Sequence, residues 1–174
     1  MKFIKNFRIS IGKKIYKRKI LQLKRNITAT GLQQIKSACI IFETSKTNNL
    51  KHVKELRKIL PEDAEIKIIG YIEGKKKDFS FISDKTYNYI SDEDFDFFMQ
   101  PKNEYINQFI NNQFDALFML SFNYHFALDL ISGLSKARFK IGKSGVYEKN
   151  LDFFIETDSK DCNYLISQFA HYLA

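Results

Sequence analysis

Short apolar runs separated by helical patterns make up most of this chain. Residues 38–42 and 116–120 are almost wholly apolar, which is typical of strands buried on both faces of a sheet. Residues 66–72 predict a third strand of the same kind, and residues 139–142 and 153–155 predict two shorter ones. The strands therefore recur along the chain rather than forming one block.

Apolar positions three or four residues apart predict a helix in most of the intervals. The predicted helices cover residues 50–60 (ending before Pro61), 103–112, 124–137 and 162–173. Strands that alternate with helices form βαβ units and a parallel sheet with helices on both faces. We therefore expect an α/β fold, a three-layer Rossmann-like sandwich with a mostly parallel sheet of five or six strands.

Two stretches are harder to interpret. Residues 79–82 suggest a short extra strand, and residues 84–101 contain an acidic run and several Phe without a clear period. We expect the α/β domain to begin at residue 37 and to continue to residue 174.

Residues 1–36 form a basic arm in front of this domain. Its apolar residues recur at helical spacing, which predicts a basic amphipathic helix across residues 3–27: Ile4, Phe7, Ile11, Ile15, Tyr16, Ile20, Leu23 and Ile27. Gly12 weakens the middle of the pattern, so we expect one interrupted helix or two short ones. Residues 28–31 then indicate a break.

Charge is distributed very unevenly along the chain. The arm holds eleven Lys or Arg and no acid, and the first acidic residue is Glu43. Of 28 basic residues, 17 remain for the rest of the chain against all 20 acidic ones, so the net charge of +8 comes from the arm. A solvated face normally mixes both signs, so this arm predicts a polyanionic partner or a membrane surface.

We expect the arm to bind structured RNA, on the ribosome or a ribosome precursor, without catalysis. The predicted phosphate contacts are Lys13, Lys14, Lys17, Arg18, Lys19, Lys24 and Arg25. One alternative is a peripheral membrane-surface protein, although the arm has no Trp anchor. Another is a small enzyme or sensor that binds a nucleotide or sugar phosphate at the strand ends.

Three loops are candidates for chemistry. Residues 43–49 follow a predicted strand and could hold a phosphate or simply form a polar turn. Residues 121–125 follow another strand, with Asn123 as a helix cap and His125 four residues before Asp129 on one helical face. The acidic residues of 92–96 lack calcium-loop spacing and could instead pair with the basic arm of the same chain.

The remaining chemistry is sparse. The three His are scattered without zinc-type spacing, and no nucleotide-binding glycine motif occurs, so no metal, cofactor or catalytic residue is predicted. Cys39 and Cys162 fall in apolar patterns, which favours buried free thiols and a cytoplasmic location. Neither a secretory signal nor a membrane-spanning helix is indicated, and the oligomeric state stays open.

Two resemblances accompany these patterns. The arm KNFRISIGKKIYKRKILQLKRN, the run LSKARFKIG and the ending DFFIET resemble a family of small uncharacterised bacterial basic α/β proteins, which implies no activity. Residues 115–142 resemble one βαβ unit in the N-terminal Rossmann-like domain of heptosyltransferase-like glycosyltransferases. Those enzymes need a second such domain for the sugar nucleotide, for which this chain has no room, so this likeness implies at most a shared fold.

Overall fold

The computed structural model describes residues 2–44, 50–74 and 83–174. Its helices are α1 (Lys2–Gln22), α2 (Leu50–Lys58), α3 (Glu104–Asn111), α4 (Phe126–Leu134) and α5 (Cys162–Tyr172). Its strands are β1 (Ser37–Thr44), β2 (Glu65–Ile72), β3 (Tyr87–Ile90), β4 (Ala116–Leu120), β5 (Phe139–Lys143) and β6 (Phe153–Ile155). The extra strand suggested at residues 79–82 lies outside the described residues.

The described strands form one sheet in the order β3-β2-β1-β4-β5-β6, and all neighbouring pairs are parallel. This is a Rossmann-like order and confirms the predicted α/β fold with six strands. The central strand β1 lies between β2 and β4, with Ile40 opposite Ile68 on one side and Phe118 on the other. All three side chains are buried, as the apolar runs predict.

Helices cover both faces of this sheet. Alternate β1 side chains point to opposite layers: Cys39 and Ile41 pack with α3 and α4, whereas Ile40 and Phe42 pack with α2 and α5. Both cysteines are buried and free, as predicted.

Helix α4 is shorter than its predicted range of 124–137. It begins after His125, which is the N-cap residue, although its side chain makes no capping hydrogen bond. The Asn123 cap prediction is therefore wrong. The carbonyl of Asn123 instead accepts a hydrogen bond from Tyr147 Oη at 2.7 Å, so residues 121–125 form a turn held from outside the helix.

Helix α1 runs without a break through Gly12, so the predicted interruption is wrong. A Cβ atom at Gly12 would lie 2.8 Å from both Met99 Cβ and a ring carbon of Phe126. Glycine is therefore needed here for close packing rather than for a bend. Further along α1, the buried Tyr16 ring fits against Gly133 of α4, where an added Cβ would lie 1.9 Å from Tyr16 Oη.

The apolar stripe of α1 is buried only in part. Tyr16 is buried, and Ile9 and Ile20 pack against the same core as α4. Phe7 is 53% exposed, so the amphipathic pattern is wrong at this position. The helix also ends at Gln22 rather than at residue 27, and Ile27, which lies beyond it, is 59% exposed. Helix α1 thus contacts the domain along one narrow strip and presents the rest of its surface to solvent.

The segment after α1 is anchored by Arg25. Its guanidinium pairs with the Asp152 carboxylate through both terminal nitrogens and donates to the Ala137 carbonyl at 2.9 Å. Asp152 also accepts the backbone N–H of Lys140 at 2.8 Å. Arg25 therefore holds the segment after α1 against the domain.

Gly12→Ala is expected to destabilise the fold even though alanine is the better helix former by about 1 kcal/mol. The added methyl overlaps Met99 and Phe126, and such overpacking costs roughly 1–3 kcal/mol. Urea unfolding measures the difference, with Ser10→Ala at an exposed position of the same helix as control. Equal stability of the two variants would show that Gly12 is not a packing glycine.

A buried lysine lies in the sheet beside the Arg25–Asp152 pair. Lys140 is 2% exposed, and its Nζ donates to the Gly133 carbonyl at 2.9 Å. Burial lowers its pKa to about 7, with the nearby Arg25 charge acting in the same direction. In the unfolded chain the pKa of Lys140 is near 10.5. Between pH 7 and 10.5 the unfolded chain therefore holds a proton on Lys140 that the folded chain has lost. The contribution of Lys140 to the free energy of unfolding thus rises with pH across that window.

Lys140→Met is expected to flatten this pH dependence. In the native protein the Lys140 contribution to unfolding free energy should rise by about 2 kcal/mol from pH 7 to pH 9, and the methionine variant should lack that rise. Urea unfolding at pH 7, 8 and 9 measures both curves. Parallel curves would show that Lys140 keeps its proton in the folded state.

Candidate functional site

The chain reverses its direction of strand addition between β1 and β4. Strands β2 and β3 follow on one side of β1, and β4, β5 and β6 on the other. In open parallel sheets, ligands bind in the crevice outside the carboxyl ends of the strands at such a reversal. The crevice here lies next to the last residues of β1, β2 and β4.

Three side chains with metal-ligand chemistry meet in this crevice. Glu43 is near the end of β1, Glu73 follows β2, and His125 precedes α4. One ligand atom of each lies within 4.8 Å of the others. We call this group the switch-point cluster.

His125 is held by contacts to its ring and to its backbone. Its ring packs on Tyr71 with centroids 4.5 Å apart, and its backbone N–H donates to Tyr147 Oη at 2.9 Å. Its Nε2 lies 3.2 Å from Glu43 Oε1, yet this buried nitrogen has no hydrogen bond within the described residues, because the angle to the carboxylate is unfavourable. The two atoms are therefore close together without a formed hydrogen bond between them.

Glu43 is oriented by the turn that follows β4. The Asn123 side-chain amide donates to both carboxylate oxygens, at 3.0 and 3.2 Å. Ser121 Oγ lies 3.4 Å from one of them. Glu73 is exposed and so is less constrained than Glu43.

Asp129 does not pair with His125, a pairing that their spacing of four residues had only left open. Asp129 is buried, and it accepts hydrogen bonds from Tyr124 Oη at 2.9 Å, Lys149 Nζ at 3.1 Å and Asn150 Nδ2 at 2.8 Å. Tyr16 of α1 donates to Asn150 Oδ1 at 3.0 Å, which ties the arm to this network. Asp129 is thus a structural acceptor whose charge is balanced locally.

Burial raises the phenol pKa of several tyrosines around these groups. The pKa of Tyr147 rises to about 12 because its hydroxyl is desolvated. Burial likewise raises the pKa of Tyr16 and Tyr124, and the nearby Asp129 charge adds to both shifts. These hydroxyls therefore remain protonated donors at neutral pH.

A cavity of about 360 Å³ lies between α1 and the switch-point cluster. Its lining includes Arg8 and Lys13 of α1 on one side and Glu73, Asp92 and His125 on the other. Arg8 is already engaged, since it donates to the Asp96 carbonyl at 2.8 Å. The first half of α1 therefore covers one side of the crevice.

Most of the predicted phosphate contacts lie on the exposed side of α1 and its extension. We call Lys13, Lys14, Lys17, Arg18, Lys19 and Lys24 the basic face, and all six are exposed. Lys13 Nζ lies 5.5 Å from the Tyr124 ring centroid, and Lys19 Nζ donates to Gln100 Oε1 at 2.6 Å. Arg25 is instead held by Asp152.

In the part of the chain that the structure describes, the acidic loop of residues 92–96 meets α1 through Arg8. Asp96 accepts the backbone N–H groups of Phe98 and Gln100, both at 2.8 Å, and Asp92 accepts Tyr71 Oη at 2.8 Å. Arg8 of α1 meets this loop at backbone carbonyls rather than at carboxylates.

Sequence reasoning missed Glu73 and did not connect Glu43 with His125. The available signal was position, because Glu73 directly follows a predicted buried strand and so lies at the carboxyl edge. The other strand-end candidate is the loop of residues 43–49, of which residues 45–49 lie outside the described residues.

The chain belongs to a family of unknown function (DUF6913), whose model matches residues 8–174. The match begins inside α1, so it includes all six residues of the basic face and the whole switch-point cluster. No curated protein and no solved structure matches the chain. Among the described residues, no helix is both long and apolar enough to cross a membrane.

Proposed function

We propose that this protein binds structured RNA through the basic face, with ribosomal RNA or a ribosome precursor as the expected partner. The observation that supports this is the set of six exposed cationic side chains with no carboxylate partner among the described residues. Cations this close together repel each other in the free protein, and a polyanion relieves that repulsion.

The packing of α1 against α4 supports this proposal. Tyr16 and Gly12 hold the helix against α4, so the cations are presented at helical spacing rather than on a loose tail. Lys13 and Lys19 are about 9 Å apart along the axis, which is close to the screening length at physiological salt. Several phosphates can therefore be contacted without ordering a flexible segment first.

A groove beside α1 offers room for a nucleotide. It measures about 640 Å³ and is lined by Lys13, Lys17, Leu21, Tyr124 and Lys149, among others. The Tyr124 side chain is 41% exposed and supplies an aromatic surface for a base, while the three lysines suit its phosphates. The buried Asp129 at its base already has hydrogen-bond donors, so it does not repel the ligand as a free carboxylate would.

A second candidate is binding to an anionic membrane surface. Phe7, Phe97 and Phe98 form an exposed aromatic cluster, with ring centroids 6.5 Å apart for Phe7–Phe97 and 5.5 Å for Phe97–Phe98. Exposed aromatic side chains beside a basic helix are the anchors of interfacial proteins. RNA remains the primary proposal because the groove and basic face suit phosphates and bases together.

Changing Lys14, Lys17 and Arg18 to Gln is expected to abolish co-sedimentation with ribosomes at physiological salt. For purified structured RNA, three lost phosphate contacts should lower the slope of log K against log salt by about 2–3. The matched control changes the exposed Lys51, Lys54 and Lys102 to Gln, which removes the same charge from other surfaces. Equal losses of binding in both variants would show that the effect depends only on net charge and would contradict the proposal.

The membrane alternative makes a different prediction. Changing Phe97 and Phe98 to Ser should prevent flotation with anionic liposomes and leave RNA binding intact, because it removes apolar anchors and no charge. Flotation of the wild-type protein without any RNA binding would favour the membrane role. Failure of the wild-type protein to float would exclude it.

A further inference from the structure

We propose that the switch-point cluster of Glu43, Glu73 and His125 binds a divalent transition-metal ion of the Zn²⁺ type. This inference is independent of RNA binding. The three residues are far apart in sequence, and they meet because β2, β1 and β4 are neighbours whose carboxyl ends share one edge. A position at the strand reversal is where this sheet architecture places ligands.

The spacing of the ligand atoms suits a bound ion. Around Zn²⁺, ligands at 2.0–2.2 Å in a tetrahedron are about 3.4 Å from each other. His125 Nε2 and Glu43 Oε1 are already 3.2 Å apart, and all three ligand atoms lie within 4.8 Å. Glu73 is exposed, so its side chain can close the remaining distance without disturbing the core.

The buried His125 nitrogen points to a ligand. The His125 side chain is 11% exposed, and its Nε2 is buried without a hydrogen bond among the described residues. Buried polar atoms are nearly always satisfied, and the neighbouring carboxylate is badly aligned for a hydrogen bond. A cation between Nε2 and Glu43 would satisfy the nitrogen lone pair and the carboxylate together.

The surroundings position two of the three ligands. Asn123 donates to both oxygens of Glu43, and Tyr147 holds the backbone of His125 while Tyr71 packs on its ring. Outer hydrogen bonds of this kind orient ligands in established metal sites. The cluster is therefore largely formed before an ion arrives.

The donor set selects the class of ion. Two carboxylates and one imidazole carry net negative charge, which disfavours a phosphate directly at this position and favours a cation. Imidazole suits Zn²⁺ and its first-row neighbours, whereas Mg²⁺ prefers oxygen ligands and retains its water. The adjoining cavity of about 360 Å³ leaves room for water or a small anion as a fourth ligand.

The test is titration of chelator-treated, untagged full-length protein with Zn²⁺ at pH 7.5 by calorimetry. One ion per chain with a micromolar or tighter dissociation constant is expected, and Mg²⁺ should bind far more weakly. Glu73→Gln and His125→Gln should each weaken Zn²⁺ binding at least tenfold. His171→Gln, at an exposed histidine on α5, should leave it unchanged.

Thermal unfolding gives a second measurement that does not depend on calorimetry. Zn²⁺ should raise the melting temperature of the wild-type protein and of His171→Gln, because it binds only the folded site, and it should not raise that of Glu73→Gln. Glu73 is exposed, so this variant is expected to fold normally without metal. Absence of saturable binding, or equal affinity in all the variants, would overturn the proposal.

Discussion

The reversal of strand order between β1 and β4 is the constraint on which the rest of this structure depends. Because every described strand pair is parallel, the described connections through α2, α3 and α4 pass over the faces, and each face is covered by helices. The same reversal opens a crevice at the carboxyl edge. Glu43, Glu73 and His125 converge there because their elements end at that edge.

Helix α1 packs against α4, and this packing depends on the absence of a side chain at Gly12 and at Gly133. Gly12 lets α1 approach Met99 and Phe126, and Gly133 lets Tyr16 reach the Asn150 network. Arg25 and Asp152 then hold the segment that follows. This narrow contact strip leaves the basic face in solvent, so docking and charge presentation use opposite sides of one helix.

The two proposed sites therefore have opposite charge, and α1 borders both of them. The outer side of α1 carries the cations of the basic face, whereas the crevice below its first half carries the switch-point cluster. Lys13 lines both the crevice cavity and the outer groove, and it lies beside the Tyr124 ring. Lys13 is thus common to the linings of both cavities.

The sequence by itself determined the fold class, nearly every strand and the one-signed charge of the arm. Strand patterns such as residues 116–120 were readable because a strand buried on both faces must be apolar throughout. The interruption predicted at Gly12 does not occur, because the low helix propensity of glycine costs only about 1 kcal/mol and close packing with Met99 outweighs that cost. Only the tertiary structure decided that Arg25 faces Asp152 and that Glu73 meets His125, because contacts between residues far apart in sequence follow from strand order, which local patterns do not encode.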